Sequence, residues 1–110
     1  MHDRSLLQKR DPNSKACANA KKEAFSALPN FIKALQNYPH SDELTKVGTF
    51  QQAMIAANMH QDRPHYEAIV AAYHQADAAL AGSSEPKAAR LRKEVNNMMD
   101  IVNKIAPLCK

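Results

Sequence analysis

The fold class can be inferred from residues 88–109, whose sequence is AARLRKEVNNMMDIVNKIAPLC. Apolar residues recur there at alternating steps of three and four, the spacing that aligns side chains along one face of an α-helix. The next step of four after the last of them reaches Cys109. The pattern therefore predicts an amphipathic helix with these inward-facing positions: Ala88, Leu91, Val95, Met98, Val102 and Ile105.

The same spacing predicts three further helices before this one. The chain contains only two glycines, which argues against the tight turns of an all-β fold. Pro29 is expected to kink the first helix, because it removes a backbone donor and crowds the preceding turn. The fourth helix is expected to open at Ser83 or Ser84, with Pro86 in its first turn. The first helix is expected at residues 14–37 and the second from its cap Ser41 to about residue 59. The third is expected to begin at a cap formed by Asp62 or Arg63 and to end at Gly82.

Short connections between four helices predict antiparallel neighbours. We therefore expect an all-α domain at residues 14–110, folded as an antiparallel up-down-up-down four-helix bundle. Residues 1–13 are polar and charged, and we expect them to form a flexible tail. The tail contains the dibasic pair Lys9 and Arg10, a candidate processing site for secretory-pathway proteases.

Two cysteines are present, Cys17 and Cys109. In an up-down-up-down bundle the start of the first helix and the end of the last lie at the same end, and both cysteines continue the apolar spacing of their helices. Topology and periodicity together predict a Cys17–Cys109 disulfide, which would place the protein in a secreted or periplasmic compartment. Two alternatives remain open, buried reduced thiols and a bridge between two chains.

The sequence contains no pattern typical of a catalytic centre, so we expect a protein without enzymatic activity. No Gly-x-Ser-x-Gly turn or glycine-rich phosphate loop occurs, and the histidines at 60, 65 and 74 lack zinc-ligand spacing. We therefore expect no catalytic residue, metal or cofactor. No run of 18 apolar residues is present to span a membrane. The net charge of +4 is spread along the chain with few aromatic residues, which argues against nucleic-acid binding.

Several apolar residues fall outside the main helix faces or are methionines suited to adaptable contacts. We expect partner or ligand contacts at Phe25, Ile32, Met54, Met98, Met99 and Ile101. The first hypothesis is a secreted or periplasmic protein of the effector, inhibitor or immunity type that binds an unidentified protein through a helix face. The alternative is a carrier of a small apolar ligand, such as a fatty acid or sterol, in the bundle core. A third hypothesis is an anion or nucleic-acid binder that uses Lys87, Arg90 and Lys93.

Overall fold

The computed structural model describes residues 15–57 and 62–108. Within these two ranges the chain forms four α-helices and no strand, which confirms the predicted all-α class. Other predictions concern positions outside the described residues, namely the tail at 1–13 with Lys9 and Arg10, the end of the second helix at residue 59, and Cys109. The helices are α1 (Lys15–Gln36), α2 (Asp42–Ala57), α3 (Arg63–Ala81) and α4 (Ala88–Leu108).

Two predicted caps are confirmed at the amino-terminal ends of α2 and α3. The Ser41 Oγ accepts a hydrogen bond of 3.3 Å from the backbone N–H of Leu44. The Asp62 Oδ1 accepts one of 2.9 Å from the N–H of His65. Each side chain satisfies a donor that has no partner inside the first helical turn, which fixes where the helix begins.

Gly82 caps the carboxyl end of α3, as predicted. Its N–H donates to the carbonyl of Ala78 at 3.1 Å. Its φ of −89° lies in the region open to all residues, so the glycine is not required here for left-handed geometry. The helix α3 therefore ends without the left-handed backbone conformation that glycine often adopts after a helix.

The predicted start of α4 at Ser83 or Ser84 is wrong, because the helix begins at Ala88. The Ser83 Oγ accepts a hydrogen bond of 3.1 Å from the N–H of Glu85, and this bond holds a turn rather than a helix. Glu85 also precedes Pro86, and the proline ring disfavours helical geometry for the residue before it. The helix consequently forms only after the proline, with the N–H of Ala88 donating to the Glu85 carbonyl at 3.0 Å.

The first helix continues through Pro29 for seven further residues to Gln36. Pro29 is exposed. Its ring therefore replaces a backbone donor at the surface of the domain and not within the core. The kink expected at this residue stays a prediction.

The helix α4 packs closely against two neighbours, α1 on one side and α3 on the other, and α3 also packs against α2. Hydrogen bonds from Tyr66 to Asn103 and from Arg92 to Asp77 show that α3 and α4 are antiparallel, since one number rises as the other falls. Glu23 of α1 pairs with Lys104 of α4, and Asn37, just after α1, bonds to Lys87, just before α4. The helices α1 and α4 are antiparallel for the same reason. With these two antiparallel pairs, the four helices are consistent with a four-helix bundle.

The helix α4 lies between α1 and α3, which explains why its apolar face is wider than packing against a single helix requires. All six positions predicted from its spacing are buried, and so are Met99 and Ile101. Met99 is three residues after Asn96, which bonds to α3, and Ile101 is three residues before Lys104, which bonds to α1. Met99 and Ile101 therefore widen the face on opposite sides, one toward each neighbouring helix.

Three aromatic rings connect the helices across the core. The ring of Phe31 on α1 meets that of Phe50 on α2 edge to face, with centroids 6.2 Å apart. Phe50 also contacts Tyr73 on α3 at 6.1 Å. At both separations, two aromatic rings stabilise each other by more than the burial of their surfaces alone provides. Because α1 and α2 pack less closely than the other neighbours, this cluster is the principal described contact between them.

Gly48 lies inside α2, where glycine lowers helix stability. A Cβ built at this position meets nothing within 4 Å. We therefore expect Gly48→Ala to raise the free energy of unfolding by about 0.5–1 kcal/mol, since alanine reduces the freedom of the unfolded chain without a clash. Urea unfolding followed by circular dichroism measures the change. A lower unfolding midpoint in the variant would contradict the prediction.

Candidate binding surface

The six residues predicted to contact a partner or ligand differ in exposure. Phe25 is 59% exposed and Ile32 is 39% exposed, both on α1. Met54 is partly buried against the core. The remaining three are buried among the helices and form part of the core: Met98, Met99 and Ile101. The accessible members of the set therefore lie on α1.

Ile55 on α2 is also 59% exposed and was missed by the sequence analysis. Its neighbours Val47, Phe50 and Ala57 are the buried residues of α2. Ile55 is five residues after Phe50, a spacing that turns it well away from the buried face. The sequence signal that could have identified Ile55 is its position outside the helical spacing of the apolar residues of α2.

A continuous apolar row runs along the exposed side of α1. Phe25, Pro29 and Ile32 are separated by four and three residues, so they follow one another on the same side of the helix. All three are exposed. We call this row and the lysines beside it, Lys21, Lys22 and Lys33, the α1 outer face.

The lysines make the α1 outer face electropositive. Lys22 is three residues before Phe25, and Lys33 is four residues after Pro29, so both border the apolar row. Both are exposed, and Lys21 is half-buried. Within α1 the sole acidic residue is Glu23, whose Oε1 accepts a hydrogen bond of 3.0 Å from the Lys104 Nζ of α4. The single negative charge of the helix is thus directed to α4.

A polar seam joins α3 to α4 elsewhere on the surface. The Tyr66 hydroxyl donates to the Asn103 Oδ1 at 2.6 Å. About two turns further along α3, the Tyr73 hydroxyl donates to the Asn96 Oδ1. Burial raises the pKa of Tyr73, and nearby Asp77 raises it further. The Tyr73 hydroxyl therefore stays a protonated donor at neutral pH. The two tyrosine–asparagine hydrogen bonds together fix the register of α3 against α4.

An ion pair completes this seam. The Arg92 Nε donates to the Asp77 Oδ1 at 2.8 Å, and the Asn96 Nδ2 donates to the same oxygen at 2.9 Å. The hydrogen bond from Arg92 lowers the pKa of Asp77 below its ordinary value of 3.8, against the opposing effect of partial burial. Arg92 and Asn96 thus both donate to one carboxylate, whose charge they stabilise.

Asp77 should make stability depend on pH in the acid range. Because its pKa is lower in the folded chain, its contribution is complete above the unfolded value near 3.8 and is lost as pH falls through the folded value. We expect Asp77→Asn to be less stable than the wild type at pH 7, with the difference shrinking below about pH 4. Urea unfolding midpoints of both proteins across pH 2–7 measure this. A difference independent of pH would contradict it.

The turn end of the domain, where α1 meets α2 and α3 meets α4, is also held by polar contacts. The Tyr38 hydroxyl donates to the Glu43 Oε2 at 2.6 Å and lies 3.4 Å from the Ser83 Oγ. Burial and the hydrogen bond to Glu43 raise the pKa of Tyr38. The Lys87 Nζ donates to the Asn37 carbonyl at 2.9 Å. These contacts tie the two turns together.

Two surface pockets open at this turn end. One, of about 270 Å³, is lined by Ala34, Asn37, Lys87, Arg90 and Leu91. The other, of about 370 Å³, lies between the two turns and includes Glu43 and Glu85. Lys87, Arg90 and Lys93, the residues of the anion-binding hypothesis, are all exposed. Two of these three cations therefore line a pocket, and one of the two is engaged with a backbone carbonyl.

The polar residues at the start of α3 serve as local helix contacts. The His65 Nδ1 lies 2.6 Å from the Asp62 Oδ1, and Arg63 pairs with Glu67 at 3.1 Å. Among residues 15–57 and 62–108, no group of three or more histidine, cysteine, aspartate or glutamate side chains is placed to hold a metal ion. None of the helices in the described part of the chain combines the length and apolar character needed to cross a membrane.

Comparisons with known protein families, with curated proteins and with solved structures found no significant match to this chain.

Proposed function

We propose that this chain is a non-enzymatic protein of a secreted or periplasmic compartment that binds another protein through the α1 outer face. The observation that carries the proposal is the exposure of Phe25 and Ile32 on one helix face. Large apolar side chains that lie next to one another and remain exposed are typical of sites where another protein binds. Their spacing suits recognition by a helix face, in which anchors recur at i, i+3, i+4 and i+7. An effector, inhibitor or immunity-type protein would work in this way.

The test is affinity capture from the secreted or envelope fraction of the organism that encodes the chain. The wild type is compared with the double variant Phe25→Ser/Ile32→Ser. Ile55→Ser is the matched control, because Ile55 is as exposed as Phe25 but lies on α2. We expect a specific protein to be captured by the wild type and the control and lost from the double variant. Equal capture by all three, or no specific capture at all, would overturn the proposal.

The proposed compartment rests on a disulfide between Cys17 and Cys109. Cys17 is completely buried on α1, and the described residues include no free cysteine. Glu23 contacts Lys104 across the antiparallel pair α1/α4. Cys17 lies six residues before Glu23 and Cys109 five residues after Lys104. Extending the antiparallel register beyond Leu108 would bring the two positions level, which supports the pairing.

The thiol state can be measured directly by intact mass. The natural protein is treated with an alkylating agent under denaturing conditions, with and without prior reduction. We expect two alkyl groups to be added only after reduction, with the mass of a single chain in both samples. Alkylation without reduction would contradict the bridge, and a mass of two chains would assign it to a dimer.

A further inference from the structure

We infer that the α1 outer face receives an acidic amphipathic helix of the partner protein. The inference rests on the proposed function and names the chemistry of the partner segment. Its apolar residues would cover Phe25 and Ile32, and carboxylates beside them would lie against Lys22 and Lys33.

The charge of α1 favours an acidic partner. The helix α1 carries four lysines against one glutamate, the largest positive excess of any described helix. Its glutamate is already held by Lys104 of α4. The apolar row therefore has cations beside it, and the one carboxylate of its own helix is paired with Lys104 of α4. A basic partner would meet repulsion along this face, whereas an acidic one would be attracted and oriented.

The dimensions of the apolar row favour a helical partner. Phe25 and Ile32 are seven residues apart, two helical turns or roughly 10 Å along the axis. A second helix packed along α1 repeats its own contact residues at the same interval, so one apolar side chain per two turns can meet each of them. An extended strand would instead present every second side chain, a shorter repeat that this row does not match.

The narrowness of the row argues for a protein and against a lipid surface. Helices that lie in a membrane interface present a broad apolar face to the acyl chains. In α1 most of the apolar face is already used in the core, by Cys17, Ala20, Ala24, Phe31 and Ala34. The two large apolar side chains that remain exposed suffice as anchors for a partner helix but form a small area for membrane insertion.

Apolar and charged residues should have separable effects. Exposed ion pairs contribute about 0–1 kcal/mol each. Their larger effects are on the rate of encounter and on the choice of partner. Removal of Phe25 and Ile32 should therefore abolish binding of any helix, and reversal of the lysines should change which helix binds.

The experiment measures fluorescence anisotropy of two synthetic helical peptides of equal length added to the full chain. Both carry leucine at the same heptad positions, flanked by glutamate in one peptide and lysine in the other. We expect the glutamate peptide alone to bind. Lys22→Glu/Lys33→Glu should weaken its binding by about tenfold, because attraction at two sites becomes repulsion. The control Lys46→Glu/Lys93→Glu makes the same change in net charge with exposed lysines of α2 and α4, and should leave the affinity within about twofold.

Equal binding of the two peptides, or equal weakening by both lysine variants, would overturn the inference. So would the absence of binding by the glutamate peptide. Vesicles of phosphatidylcholine with and without phosphatidylserine form a third arm, and binding to the anionic vesicles without peptide binding would assign the face to a membrane. If capture of the natural partner requires Phe25 and Ile32 but is unaffected by Lys22→Glu/Lys33→Glu, the proposed function stands and the acidic helix is wrong.

Discussion

Phe50→Ala is expected to lower the free energy of unfolding by about 3–5 kcal/mol, the usual cost of truncating a buried phenylalanine. Phe50 is 0% exposed, and its ring contacts Phe31 of α1 and Tyr73 of α3. Its removal leaves a cavity where three helices meet. It also removes both aromatic contacts, so the partners lose more than the burial of one side chain.

Phe25→Ala is the matched control, because it removes the same atoms from a side chain that is 59% exposed. We expect it to change the unfolding free energy by less than about 1 kcal/mol, as surface substitutions generally do. Urea unfolding monitored by circular dichroism measures both variants. Similar losses in the two variants would contradict the placement of Phe50 at the junction of the helices.

The size of the Phe50 effect matters because domains are stabilised by only about 5–15 kcal/mol in total. A loss at the upper end of the expected range would leave a large unfolded fraction without denaturant. The variant Phe50→Leu keeps most of the buried volume and should lose less. We therefore expect stability to fall from the wild type to Phe50→Leu and further to Phe50→Ala. The loss in Phe50→Leu remains measurable even if the alanine variant unfolds too readily for a full curve.

The helices were predictable because their apolar spacing is regular and their caps have distinct chemistry. All six positions expected to face inward on α4 are buried. The start of α4 was misplaced because Ser83 has the chemistry of a cap, while its hydroxyl instead stabilises the turn before Pro86. Two local preferences competed there, and the restriction imposed by the proline decided the outcome.

The packing order of the helices was harder to infer than their existence. Short connections indicate that consecutive helices are antiparallel, but the extent of contact depends on the width of each apolar face. Met99 and Ile101 give α4 a face wide enough for two neighbours. In the sequence, these same residues look like surplus apolar positions. Only the pairing of Asn96 with α3 and of Lys104 with α1 shows why both are needed in the core.

The same ambiguity governs the candidate binding surface. Phe25, Ile32, Met99 and Ile101 all lie beside a main apolar face, and spacing alone does not distinguish a wide interface from an exposed row. The distinction comes from the neighbours, because α4 is covered on two sides while the α1 outer face is exposed. The polar seam was likewise not predictable, since nothing in the spacing of the residues indicates that the hydroxyls of Tyr66 and Tyr73 bond to asparagines of α4.

Breaking the proposed Cys17–Cys109 bridge is expected to lower the free energy of unfolding by an amount comparable to the loss of Phe50. The bridge would close a loop of roughly 90 residues, for which the chain-entropy relation gives about 4–5 kcal/mol at 25 °C. This stabilisation comes mainly from restricting the unfolded chain, so the helix content of the folded protein should change little. Urea unfolding with and without a phosphine reductant measures the difference.

Substitutions separate the effect of a bridge from that of two independent thiols. Cys17→Ala and Cys109→Ala each remove the whole bridge, so the double variant should lose little more than either single variant. Independent thiols would give additive losses, with the larger part at Cys17, which is completely buried. The double variant should also be insensitive to the reductant, which controls for its side effects. Additive losses together with a wild type insensitive to reductant would contradict the bridge, and the secreted or periplasmic compartment would lose its support.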